Sequence, residues 1–191
     1  MKGLVVHGVV AQDSAGPRGT PRGGLGGVTF GVERGITAIV GTPEDGTIAL
    51  LEVLSGVKRP TRGVVAIDDL LPSKSPELRA HLGVLGVEPT LPPARTVLES
   101  VAIAIAARPR APAPPSILEA HGLAALGSRP LASLSRGEAR AVERALALEV
   151  HEPAAVVLFE PFLDDVLGSN GTLTESKLAA FGQRAPVIVI T

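Results

Sequence analysis

The stretch AIVGTPEDGTIALLEVLSG, Ala38 to Gly56, holds the residues of this chain whose spacing most invites chemistry. An apolar run leads to Gly41, four residues follow, and Gly46 opens a second apolar run. Glycines so spaced let backbone N–H groups approach a phosphate. A lysine and then a serine or threonine directly after the second glycine would supply a cation and a metal ligand. Here those two positions are Thr47 and Ile48. Thr47 cannot supply the cation, and Ile48 cannot hold a metal. Pro43 has no N–H to offer. Glu44 and Asp45 place carboxylates where phosphate charge would sit, and like charges repel. The residue types favour a structural turn between strand and helix. A phosphate site on Gly41, Gly46 and Thr47 is the competing reading.

Two further places carry groups of interest. Ser135 stands three residues before Glu138 at the head of SRGEARAVERALALEV, the spacing of a reciprocal helix cap. Glu160 ends the apolar run AAVVLFEP. The histidines, His7, His81, His121 and His151, lie at no metal-ligand spacing, and no metal site is expected. The chain has no cysteine, which removes disulfides and thiolate zinc sites without fixing a compartment.

The elements that must position these groups follow from periodicity and breakers. Strands are expected at 3–10, at VTFGVERG turning at Gly35, and at ITAIVG ending in Gly41. A helix is expected from Thr47 to Leu54, stopping at Gly56, and another strand at GVVAIDD. SPELRAHLG reads as a short helix or turn, and VLGVEPTLPP as a strand leaving into a proline-rich loop. Residues 94–107 suit a helix that RPRAPAPP must break, and SILEAHGLAAL reads as a second helix capped by Ser116. A third helix starts at Ser135 and ends before Pro153. LTESKLAAFGQRA reads as a helix and PVIVIT as a last buried strand. Residues 13–27, rich in Gly, Pro and Arg, read as a flexible loop. Strands alternating with helices argue for a mostly parallel α/β sheet.

Composition narrows the functions. The 191 residues suffice for one domain with a sizeable core. Net charge is −1, so no nucleic-acid or acidic-lipid partner is expected. There is no Trp or Tyr for stacking bases. The N-terminus lacks the pattern of a signal peptide, and no apolar run approaches the about 18 residues of a membrane span.

Several blocks, taken in order, resemble the ATP-binding cassette (ABC) ATPase family. VTFGVERGITAIVGTPEDGTIALLEVLSGVKRPTRGVVAIDD is similar to its opening strand pair, phosphate loop, helix and following hairpin. LGVLGVEPTLPPARTVLESV resembles its Q-loop region. LASLSRGEARAVERALALEVHEPAAVVLFEP resembles its signature motif, signature helix and Walker B strand. The resemblance runs from about Val28 to Thr191. It implies a P-loop NTPase-like ABC core, a mostly parallel sheet with an antiparallel N-terminal β part. It also implies an inserted helical subdomain at about 88–135 within a single domain, 1–191, whose core is about 1–87 and 136–191.

The resemblance assigns roles residue by residue. Gly41 and Gly46 keep the frame of the phosphate loop, with Thr47 at the lysine position. Val87 takes the place of the Q-loop glutamine, beside Glu88, which reads as a plain surface acid. Phe159 replaces the Walker B aspartate, its ring expected in the core. Glu160 matches the catalytic base, with a capping or surface carboxylate as the alternative. Asp164 and Asp165 fall at the family's D-loop aspartate. The adenine-stacking aromatic expected near residues 11–14 is missing, and the chain ends at Thr191, before the place of the switch histidine. Leu134, Ser135, Arg136, Gly137 and Glu138 resemble the signature LSGGQ, which in the family closes over ATP held by a partner subunit. An ordinary helix cap explains the same residues equally well.

Three functional expectations follow. The first is a pseudo-ATPase with no cofactor of its own, sharing ATP and Mg with an intact ABC ATPase partner. Its signature segment would act in trans, a permease would dock at residues 88–110, and the complex would sit at the cytoplasmic face of a membrane without insertion of this chain. The second is a structural or regulatory module that binds no nucleotide. The third is an active ATPase with an atypical loop, which needs another cation. The nearest candidates, Lys58 and Arg59, are expected to face solvent.

Overall fold

The computed structural model describes residues 3–12, 23–162 and 170–191, and in the helix that begins at Asn170 it describes side chains from 174 onward. Two sheets organise these residues. The first is antiparallel, in the order β2-β1-β4: β1 (Leu4–Gln12) lies between β2 (Gly24–Val32) and β4 (Arg62–Ile67). The second is parallel, in the order β3-β7-β6-β5, from β3 (Gly35–Ile39), β5 (Leu82–Leu85), β6 (Ala155–Phe159) and β7 (Pro186–Ile190). Every residue of β6 is buried, as a central parallel strand with both faces covered requires.

The helices are α1 (Thr47–Leu54), α2 (Pro76–Ala80), α3 (Val97–Ile105), α4 (Pro114–Ala120), α5 (Arg136–Leu148) and α6 (Asn170–Gly182). The sheets and α1 enclose the main core, where Leu4, Val6, Leu54, Ile67, Val157 and Ile188 are at most 1 % exposed. A second apolar cluster joins α3, α4 and α5 through Val97, Val101, Ile117, Leu118 and Val142. A third lies between α5, α6 and the other face of the parallel sheet, around Leu148, Leu158 and Val187.

α1 has the bounds its periodicity gives, and α5 starts at the expected cap. Other elements differ. β2 begins at Gly24, inside the expected loop, because its N-terminal residues pair with Ala11 and Gln12 of β1. The rest of that expected loop, 13–22, lies outside the described residues. β5 begins at Leu82, inside the segment read as a short helix or turn, because Leu82 and Gly83 pair with Ala155 and Val156 of β6. α4 begins at Pro114 and is not capped by Ser116. Its N-cap is Ala113, and prolines occupy the first turn, where a missing N–H costs nothing. That helix stops at Ala120, and residues 124–126 form a separate 3-10 turn. α6 runs about three residues ahead of its expected bounds.

Candidate functional site

The carboxyl ends of the parallel strands carry most of the residues of interest. Gly41 leaves β3 and donates its N–H to the Thr191 carbonyl, 3.0 Å away. Glu160 leaves β6 and donates its N–H to the Ile190 carbonyl at 2.7 Å. The phosphate-loop segment and Glu160 therefore flank the end of β7. The crevice outside such strand ends is where open α/β sheets bind ligands.

Thr42 to Gly46 is a tight turn organised by its own acid. Pro43–Asp45 form a 3-10 turn, and Gly46 follows with φ 83°. The Asp45 carboxylate accepts from the Thr42 N–H at 2.8 Å and from the Thr42 hydroxyl at 3.0 Å. These bonds hold the Asp45 carboxyl below the usual carboxylate range, so it is ionised at neutral pH. The buried Thr47 hydroxyl turns inward and donates to the Thr42 carbonyl at 3.0 Å. Gly46 meets a double demand: left-handed φ, and a backbone that leaves only 2.6 Å between a Cβ placed there and the Gly24 carbonyl carbon. A cavity of about 420 Å³ opens between β2 and β3 beside the turn, walled by Leu25, Val28, Phe30 and Ile39. Among the described residues its lining includes Asp45 and no cationic side chain.

The cations proposed for an atypical loop lie elsewhere. Lys58 does not face solvent freely: it pairs with Glu52 at 3.4 Å and donates to the Gln12 carbonyl. Arg59 is exposed.

The segment Leu134–Glu138 forms the head of α5. Ser135 is its N-cap; the Ser135 hydroxyl accepts from the Glu138 N–H at 3.2 Å. Glu138 returns its carboxylate to the Ser135 N–H at 2.8 Å and to the Ser135 hydroxyl at 3.0 Å. Arg129 pairs with the other Glu138 oxygen. The Ser135 bonds first, and the Arg129 bond with them, hold the Glu138 carboxyl below its usual range. Arg136 is exposed and pairs with Glu88 at 2.9 Å, so Glu88 is a surface acid with a partner. Leu134 packs against the helical cluster and Gly137 is half-buried.

Phe159 is 8 % exposed and packs in the main core. Glu160 sits at φ 41°, the left-handed region that a side chain disfavours. Among the described residues its carboxylate has no hydrogen-bond partner, whereas its main-chain carbonyl accepts from Arg140 at 3.1 Å. Asp164 and Asp165 lie outside the described residues. His121 is buried against Glu149 at 3.0 Å, and among the described residues no His, Asp or Glu cluster could hold a metal.

The sequence reading missed Arg140, Glu143 and Arg144, which lie buried on α5. Their i, i+3, i+4 spacing on a face otherwise made of Ala, Val and Leu is the signal that could have exposed them.

Two packed sheets with these strand orders, a glycine-framed turn between β3 and α1, and a capped helix feeding β6 define the ABC-type P-loop ATPase fold. The ABC transporter family model matches residues 25–162, and the chain belongs to this family. The chain is 33 % identical over 156 residues to the methionine import ATP-binding protein MetN 2 of Burkholderia mallei, covering 76 % of this chain and 39 % of that protein. It is 32 % identical over 143 residues to the aliphatic sulfonates import ATP-binding protein SsuB 3 of Pseudomonas syringae pv. syringae, covering 74 % and 48 %. The chain thus matches less than half the length of these relatives. Among solved structures, the ATP-binding cassette MJ0796 dimer bound to ADP and Pi superposes with TM-score 0.78 at 20 % identity, covering 98 % of this chain and 87 % of that one. No helix among the described residues is long and apolar enough to cross a membrane.

Proposed function

We propose that this chain is a non-hydrolysing ABC subunit. It works beside an intact ABC ATPase in a membrane transport complex, offers Leu134–Glu138 to the partner's ATP, and sits with a permease at the cytoplasmic face. The observation that carries the reading is the Asp45 carboxylate seated on the Thr42 N–H and hydroxyl. A phosphate approaching this turn meets an ionised carboxylate on donors it would need. Thr47 lacks the lysine's charge and turns its hydroxyl onto the Thr42 carbonyl, and Ile48 has no hydroxyl for Mg²⁺, so the residues present do not fit a Mg-nucleotide here. A chain of this kind adds ATP only through a partner's site. Its own Glu160 then has no metal or triphosphate beside it to act on.

A second reading, a nucleotide-independent interaction module on the same fold, is favoured by one observation. Glu138 already occupies the hydroxyl and N–H of Ser135, the groups that would meet a phosphate in trans.

Titration calorimetry of the purified chain with Mg-ATP tests the shared claim, and no saturable heat at millimolar nucleotide is expected. Saturable binding overturns the claim that this turn holds no nucleotide, and ATP hydrolysis by the chain alone then overturns both readings. Ser135→Arg separates them in a complex reconstituted with an intact ABC subunit. A slowed ATPase rate supports presentation in trans, and an unchanged rate supports the interaction module.

A further inference from the structure

α5 buries three charged side chains on the face turned toward the sheet: Arg140, Glu143 and Arg144, with relative exposures of 3 %, 9 % and 5 %. Buried charges are costly unless their hydrogen-bonding groups are met, and most of these are; Arg140 Nε and Glu143 Oε2 have no hydrogen-bond partner among the described residues. Arg140 Nη1 donates to the carbonyls of Gly86 at 2.8 Å and Val87 at 3.0 Å, in the loop leaving β5. Arg140 Nη2 donates to the carbonyls of Phe159 and, at 3.1 Å, Glu160, at the end of β6. Arg144 continues the series and donates to the Pro161 carbonyl at 2.9 Å. Two arginines therefore hold three consecutive carbonyls around Glu160. Glu143 fastens the other loop again by accepting from the Thr90 N–H at 3.1 Å and hydroxyl at 3.0 Å.

These contacts explain the backbone of Glu160. A left-handed conformation at a residue with a Cβ persists when its surroundings over-determine it. Here the Glu160 N–H is tied to Ile190, and the carbonyls on either side of its α-carbon are tied to Arg140. A planar five-donor fork can bridge two strand ends at once, which the point charge of a lysine cannot do equally well.

We propose that Arg140 is a positioning residue. It locks the loops after β5 and β6 to the helix that begins with Ser135, holds Glu160 in its left-handed conformation, and makes the signature segment and both strand ends one rigid body. The importance given to Ser135 rests on the proposed function, but the lock is a property of the isolated chain and is read without nucleotide.

The test is NMR-detected amide exchange on wild type, Arg140→Met and Arg140→Lys, with Val157 in the middle of β6 as the internal reference. In Arg140→Met, the Thr90 and Glu160 amides are expected to exchange about tenfold faster or more, beyond any change at Val157, because local opening then no longer needs global unfolding. Arg140→Lys should fall between. A mere loss of stability would move all three amides together. An unchanged ratio of Thr90 and Glu160 to Val157 overturns the proposal. If Arg140→Met does not fold, the same ratio in Arg140→Lys decides. Calorimetry with Mg-ATP leaves this outcome untouched, so failure of the functional reading and failure of the lock are separately visible.

Discussion

Gly41 and Gly46 frame one motif, yet the fold asks different things of them, and substituting each by alanine separates those demands. At Gly46, φ is 83°, and a Cβ would lie 2.6 Å from the Gly24 carbonyl carbon and 2.8 Å from the Leu25 nitrogen, all backbone of β2. Left-handed conformation costs an L-residue about 1–2 kcal/mol. Forcing a methyl group into a filled space costs about 1–3 kcal/mol. The sum for Gly46→Ala is about 2–5 kcal/mol, a large share of the about 5–15 kcal/mol that holds a domain together. At Gly41, φ is not positive, and a Cβ meets the Thr47 Cγ2 at 3.0 Å and Asp45 side-chain atoms at 3.5 Å, which can shift. Gly41→Ala should therefore stay within about 1 kcal/mol of wild type, because the reduced freedom of the unfolded chain offsets the crowding. Urea unfolding with unchanged slope gives the two values. For a chain of this size the Gly46 loss corresponds to a fall in Tm of about 4–20 °C. Equal losses at the two glycines, or a Gly46→Ala loss under about 1 kcal/mol, would refute the claim that the second glycine is held by packing against β2.

Other expectations follow from the same geometry. Ser135→Ala removes the acceptor for the Glu138 N–H and should lower stability by about 0.5–2 kcal/mol, read by urea titration. Phe159→Asp, which writes the family's Walker B acid back into β6, removes a ring only 8 % exposed. The lost packing alone is worth about 3–5 kcal/mol, and a buried charge adds to it, so circular dichroism should show loss of cooperative folding. Asp45 and Glu138 have carboxyls held below their usual range in the folded state, so the unfolded chain binds more protons as pH falls. Their stabilisation is complete above the unfolded carboxyl range near about pH 4 and should be lost as pH falls through the folded values. Glu143 has the opposite sign: burial pushes its carboxyl up, against the Thr90 bonds. The stability of Glu143→Gln relative to wild type should therefore rise as pH increases from the carboxylate range toward neutrality, measured as the difference in unfolding midpoints. A difference independent of pH would show that Glu143 ionises as readily folded as unfolded.

Much of the scaffold was legible in the chain itself. α1 could be bounded at both ends because Gly46 and Gly56 bracket an apolar run, and the start of α5 because Ser135 and Glu138 form a local cap; α5 ends at Leu148, short of the expected end before Pro153. Such signals act over a few residues, so sequence carries them whole. The parallel strands β6 and β7 were legible as short, wholly apolar runs. Two strand boundaries that failed depended on partners elsewhere in the chain: Gly24 joins β2 through Gln12, and Leu82 joins β5 through Ala155. No local pattern records which strand will lie alongside.

The candidate site divides in the same way. By itself, the sequence determined which side chains are available: threonine and isoleucine after Gly46, phenylalanine before Glu160, serine with glutamate at the head of α5. It also determined that the charge of a lysine is absent from the turn, because that is a matter of residue type. The bonds of Asp45 to Thr42 and of Glu138 to Ser135 close over three residues and are local. Only the tertiary structure decided that Glu138 also meets Arg129 and that Glu88 meets Arg136. It also decided that Arg140, an unremarked arginine in a helix, spans the ends of two strands whose carbonyls come from positions 86, 87, 159 and 160. Residue type fixes what a group can donate or accept. Where the partner lies tens of residues away, which one it meets depends on chain closure, and that is a property of the packed fold.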